Sequence, residues 1–208
     1  DSGAERLLIS THDLARLAGD YFTGGEKLCI NHLTLNPSGT RAVALVRNME
    51  NMPWRTLTCT VDAQTGEAYV LHDQTMMSHY FWEDDVHLLA YCLEGGVRNM
   101  YRLTDLTRTA EAFPRELFCE DGHMVRRGAL ITYDSYPDGA GERFLGLYDT
   151  RGGSAREIAR VHGPNPPCVD IRCDLHPRWH PERQLVTIDS IHEGRRNLYA
   201  VDISALGL

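Results

Sequence analysis

Four histidines carry the chemistry this chain offers. His32, His79, His123 and His176 each lead a short apolar segment. The segments read Asn31-His32-Leu33-Thr34-Leu35, Ser78-His79-Tyr80-Phe81-Trp82, Gly122-His123-Met124-Val125 and Leu175-His176-Pro177-Arg178-Trp179. The histidines lie 47, 44 and 53 residues apart. A neutral imidazole is a ligand for divalent metals and a general base near pH 7. Asp174 stands two residues before His176, so on an extended strand the two side chains share a face. Imidazoles and a carboxylate converging on one point suit a divalent transition ion.

The spacing also describes what must position these residues. After each anchor comes a turn, as in Asn36-Pro37-Ser38-Gly39 and His180-Pro181-Glu182-Arg183, and then a strand with β-branched and aromatic residues. The second strands fall at Ala42–Val46, Leu88–Cys92, Leu130–Tyr133 and Leu185–Ile188. Third strands end in an aspartate, at Asp62, Asp105, Asp149 and Asp202. Fourth strands follow at Ala68–Leu71 and Glu157–Val161. Four antiparallel strands repeating every 44–53 residues describe the blades of a β-propeller. The fold class is therefore all-β, with about four blades in residues 1–208, as part of a six- to seven-bladed propeller. The first strand of a blade lines the axis of such a fold, so the four histidines are expected to converge. Glu5–Ser10 reads as a strand of a preceding blade, and Thr11–Leu17 as the single helical turn, started by Thr11 or Asp13.

Composition narrows the function classes. The net charge of -8 argues against a nucleic-acid partner, and no apolar run approaches the roughly 18 residues of a membrane span. Lys27 is the only lysine among 21 basic residues, and arginine is the side chain that grips carboxylates with two hydrogen bonds. Arg47 ends the second strand of the first repeat, Arg55 lies on the loop leading to the third strand, and Arg126, Arg127 and Arg178 flank anchor strands. The six cysteines form no CxxC pair, and Cys29, Cys59 and Cys92 sit in apolar runs as small hydrophobes. His12, His72, His87 and His162 have no repeat partner and read as solvated. His180 falls in a turn after the last anchor, and His192, at a strand end, reads as surface, with the channel mouth as its alternative together with Glu193. Asp134–Gly141 reads as a hairpin turn, and no GxSxG elbow or Walker loop is present.

Asp174-Leu175-His176-Pro177-Arg178-Trp179-His180-Pro181-Glu182 resembles the D-x-H-P-x-W-S-P-D-G blade motif of TolB-type propellers. The His-led blades resemble oligogalacturonate lyases more closely, over about residues 28–204. That resemblance implies a cytoplasmic enzyme of bacterial pectin breakdown, acting by β-elimination on acidic, uronate-bearing oligosaccharides. It implies a manganese ion held by three histidines and a glutamine, a further histidine as base and an assisting arginine. By blade order His123 and His176 become metal ligands and His79 the base. Arg55 stands near the assisting arginine's place, with Arg47 as the alternative. Asp174 stands where another histidine ligand is expected, and Ile171 or Arg172 where the glutamine is expected. These departures leave open a second class, a TolB-type propeller without catalysis that binds protein or carbohydrate.

Overall fold

The computed structural model describes residues 3, 5–22, 27–48, 54–114, 121–166, 168 and 171–207. The chain divides into two compact units, Asp1–Phe113 and Pro114–Leu208. Its secondary structure is all-β apart from one α-helix and short 3-10 turns among the described residues. The strands form antiparallel sheets of the propeller-blade type, each built from strands consecutive in the chain.

The first unit opens with α1 (Thr11–Leu17). Its cap is Ser10, one residue ahead of the expected start. Ser10 Oγ accepts from the Asp13 backbone N–H at 3.1 Å, and Asp13 Oδ2 accepts from the Ser10 N–H at 3.1 Å. The strand expected over Glu5–Ser10 does not form. That stretch runs as irregular chain with Leu7 exposed, and Arg6 donates to the Gln64 carbonyl. A side-chain contact, rather than a backbone ladder, ties it to the sheet.

One sheet of this unit comprises β1 (Leu28–Leu35), β2 (Arg41–Asn48), β3 (Arg55–Asp62) and β4 (Ala68–His72). The other comprises β5 (Met77–Trp82), β6 (His87–Glu94), β7 (Val97–Thr104) and β8 (Ala110–Ala112). Strand β2 is buried on both faces, which is why it reads as a continuous apolar run. Val43 and Leu45 pack with Leu88, Ala90 and Leu103 of the second sheet. Ala44 and Val46 pack with Leu14 of α1 and with Leu57 and Cys59. Burial of one such leucine contributes about 1.5–3 kcal/mol.

The anchors interrupt this regularity. On β1, Asn31 pairs with Leu45 and Thr34 with Val43, so His32 and Leu33 stand against Ala44 alone. On β5, Met77 pairs with Cys92 and Tyr80 with Ala90, so Ser78 and His79 stand against Tyr91. Each is a two-against-one bulge, a device that re-aims side chains. His32 also takes a left-handed backbone, φ 51°.

The second unit holds β9 (Met124–Arg127), β10 (Leu130–Asp134), β11 (Glu142–Asp149) and β12 (Ser154–His162) in one sheet. A three-stranded sheet follows, β13 (Arg178–Trp179), β14 (Leu185–Ser190) and β15 (Asn197–Asp202). Leu145, Leu175, Val186, Ile188 and Ile203 form the core between them, flanked by Trp179, Tyr199 and Val201. The stretch from Asp134 to Gly141 connects β10 to β11, with Asp138 Oδ1 accepting from the Ala140 and Glu142 N–H groups.

Candidate metal centre

The second unit draws His123 and His176 together through a third residue. Asp134 ends β10 and is 1% exposed. Its Oδ1 accepts the backbone N–H of His123 at 2.6 Å, and its Oδ2 accepts the backbone N–H of His176 at 2.9 Å. One buried carboxylate therefore ties the anchors of two consecutive sheets. The imidazole centroids lie 3.9 Å apart with the rings tilted by 60°. The approach depends on Gly122, because a Cβ there would sit 1.8 Å from the Asp134 carbonyl oxygen.

Asp174 completes the group. One ligand atom each from His123, Asp174 and His176 lie within 4.8 Å of one another. Ligand bonds of about 2.0–2.2 Å would place donor atoms on opposite sides of an ion at most about 4.4 Å apart, so a modest contraction suffices. Two imidazoles and a carboxylate fit a first-row divalent ion in donor chemistry as well. Asp174 and His176 do not meet on a strand face, as their spacing implies. His176 takes a left-handed backbone, φ 45°, two residues before β13, so a turn brings the side chains together.

The charges around the group are arranged in pairs. Arg172 grips Asp174 with Nε to Oδ1 at 2.5 Å and Nη2 to Oδ2 at 2.7 Å, and its guanidinium lies 4.3 Å from the Tyr136 ring centroid. Burial alone would raise the Asp174 pKa, but Arg172 and the two imidazoles outweigh it and hold the carboxyl below the usual range. Burial and the His123 ring push the His176 pKa below that of free imidazole, which favours the neutral, metal-binding form. Of the positions expected to hold a glutamine, Ile171 is exposed and Arg172 is the partner of Asp174.

The first unit places its candidates differently. His79 is buried on β5, with Nδ1 at 3.2 Å from Ser78 Oγ and its ring 6.3 Å from that of His32, nearly perpendicular to it. Arg47 Nη2 donates to the Met77 carbonyl at 3.0 Å, which brings it to the strand that carries His79. Arg55 lies 4.4 Å over the Tyr21 ring centroid instead. His72 is not solvated. It is buried at the end of β4, with Nε2 against the Leu93 carbonyl at 2.9 Å. Cys59 and Cys92 are buried free thiols, and burial pushes both up to about 12.

Two residues that complete the site escaped the sequence reading, Asp134 and Asp189. Asp189 Oδ2 lies 3.7 Å from His176 Nδ1. Their signal is an apolar strand that runs into an aspartate, Ile131-Thr132-Tyr133-Asp134 and Val186-Thr187-Ile188-Asp189.

No protein-family model matches the chain, and no curated protein matches it in sequence. Solved structures do match in fold. TolB from Acinetobacter baumannii aligns with a TM-score of 0.56 at 14% identity, over 81% of this chain and 39% of that one. A prolyl endopeptidase aligns with a TM-score of 0.60 at 13% identity, over 98% of this chain and 30% of that one. An oligogalacturonate lyase from Vibrio parahaemolyticus aligns with a TM-score of 0.50 at 15% identity, over 83% of this chain and 65% of that one. The chain thus spans less than two thirds of the length of each. Likeness at this identity defines a TolB-like β-propeller fold, and function has to be argued from the site.

Proposed function

We propose that the chain belongs to a lyase-like propeller that binds a divalent ion at His123, Asp174 and His176 and cleaves acidic oligosaccharides by β-elimination. The observation that carries this reading is the grouping of two imidazoles and a carboxylate within 4.8 Å, fixed from beneath by Asp134. Manganese is the ion the resemblance implies, and when bound it supplies positive charge beside a uronate carboxylate. The reaction removes the proton on the carbon α to that carboxylate. The electron pair becomes a new C=C bond, and the glycosidic oxygen on the β carbon leaves with a proton. His79 is the proposed base, accepting at Nε2 while Ser78 Oγ faces its Nδ1. Arg47 is the proposed screen for the substrate carboxylate, supported by its bond to the Met77 carbonyl on the strand of His79, and Arg55 is the alternative.

General base catalysis contributes about 10²–10⁴-fold, so His79→Ala should remove most turnover and leave folding intact. The unsaturated uronate product absorbs in the near ultraviolet. No absorbance from any uronate oligosaccharide, with manganese supplied, would remove the lyase reading.

The Arg172 fork favours a second reading, a propeller without catalysis that binds protein or carbohydrate. In that reading Arg172 already satisfies Asp174, and the cluster is structural. Arg172→Ala separates the two. A structural cluster loses stability that manganese does not restore, whereas a metal site gains stability with the logarithm of the added ion once its concentration exceeds the dissociation constant.

A further inference from the structure

The sheet β13–β14–β15 presents a groove beside the candidate metal centre. Arg178 pairs with Thr187 across β13 and β14, and Asp189 pairs with Leu198 across β14 and β15. The two-residue period of a strand puts Thr187 and Asp189 on one face. With His176 at one end, these residues line an open groove of about 310 Å³. That is at the small end of ligand sites, about 300–1,000 Å³. His176 belongs both to the groove and to the metal-type group, so a ligand in the groove abuts that group.

The charges in the groove do not cancel. Asp189 is matched by Arg196, whose Nη2 donates to it at 2.6 Å, and it faces His176 Nδ1 on the other side. Arg178 donates one Nη1 hydrogen bond to the Pro177 carbonyl at 2.8 Å, and among the described residues no carboxylate pairs with it. A guanidinium carries five N–H donors in a planar fork, so a two-bonded grip on an incoming carboxylate remains open to it. Leu198, 71% exposed, adds an apolar patch suited to the C–H face of a sugar ring.

We propose that this groove is a uronate subsite, in which Arg178 grips the carboxylate of a sugar unit next to the one at His123, Asp174 and His176. The inference rests on the acidic-oligosaccharide reading above and assigns Arg178 as its specificity-determining residue. Arg178 separates uronates from neutral sugars because a neutral unit offers no partner for the fork.

The test measures two bindings separately in the full protein. Manganese uptake is followed by electron paramagnetic resonance. Binding of trigalacturonate, and of the same trimer with its carboxyl groups reduced to alcohols, is followed by calorimetry at saturating manganese. Arg178→Ala should weaken the acidic trimer about 10-fold, leave manganese uptake unchanged and leave the reduced trimer unaffected. Arg178→Lys, which keeps the charge without the fork, should fall between. Equal affinity of Arg178→Ala and the native protein for the acidic trimer overturns the inference. So does a native protein that binds no acidic trimer, or binds both trimers alike. Absence of manganese uptake removes the metal reading alone, and an Arg178-dependent affinity for the acidic trimer would then still support the groove.

Discussion

The two units use the same repeated histidine for different ends. In the second unit the neighbouring strand carries an aspartate beside each anchor. Asp134 N–H donates to the His123 carbonyl, and Asp189 N–H donates to the Leu175 carbonyl beside His176. In the first unit the opposite residues are Ala44 and Tyr91. The consequence is geometric. Asp134 pulls His123 and His176 to 3.9 Å between ring centroids, with Asp174 alongside. His32 and His79 stay 6.3 Å apart in an edge-on contact, and Tyr80 donates its hydroxyl to the His32 carbonyl. Among the described residues, the metal-type group of three lies in the second unit. A repeated imidazole therefore marks a position in the blade, and the carboxylate beside it decides how closely two imidazoles approach.

The largest expected effect comes from removing the carboxylate that makes the difference. Asp134→Ala leaves two backbone N–H groups without their charged acceptor, at about 1–3 kcal/mol each. Urea unfolding of the variant should show a loss of about 3 kcal/mol, and manganese uptake should disappear with it. Asp134→Asn, which retains one acceptor oxygen, should lose about half as much. Unchanged stability in both variants would show that the tether is incidental.

Next in size is the contrast between the two pairs as ligands. Loss of residues that merely support ligands lowers metal affinity about 10–100-fold, and loss of a ligand should do at least as much. His123→Ala and His176→Ala should therefore each weaken manganese binding by about 100-fold or more. His32→Ala should leave it unchanged. Equal effects at His32 and His176 would dissolve the distinction between the units.

Tyr80→Phe tests the structural role of the first pair more gently. It deletes the bond to the His32 carbonyl and the acceptor for Thr34 Oγ1 at 3.1 Å. About 1 kcal/mol of stability should be lost, with manganese affinity untouched.

The smallest effect is electrostatic and lies outside both pairs. Hydrogen bonds from the Ser10 hydroxyl and backbone, followed by Arg16, lower Asp13 to about 2. A lowered folded pKa means a contribution that is present above the unfolded value of about 3.9 and lost as pH falls through the folded one. Asp13→Asn should flatten the pH dependence of thermal stability between about pH 4 and pH 2 and change little near pH 7. A profile with the native slope would remove Asp13 from the acid transition.

Much of this fold was legible in the residues alone. The β-branched runs, the turn residues and the aspartates closing third strands placed β2, β3, β6, β7, β10, β11, β14 and β15 because these are local preferences repeated at a steady interval. Thr11–Leu17 was legible as helix from its own local start signal, although Ser10 was the better cap. The trio His123, Asp174 and His176 was likewise nameable in advance from residue type and resemblance. How its members meet was not. Alternation along a strand predicts a shared face for Asp174 and His176, yet a left-handed His176 breaks the strand there. The bulges at His32 and His79 leave no mark in a period-two pattern, because they arise from pairing with a neighbouring strand. His72 carries no sequence sign of burial, since its surroundings come from Leu93 and Glu94 on β6. Asp134 acts on residues 11 and 42 positions away, and only tertiary packing brings those two N–H groups to one carboxylate. Residue types and local periodicity thus determined the blades and the available ligands. The tertiary structure decided which histidines became neighbours, because that depends on contacts across sheets to which a local pattern is blind.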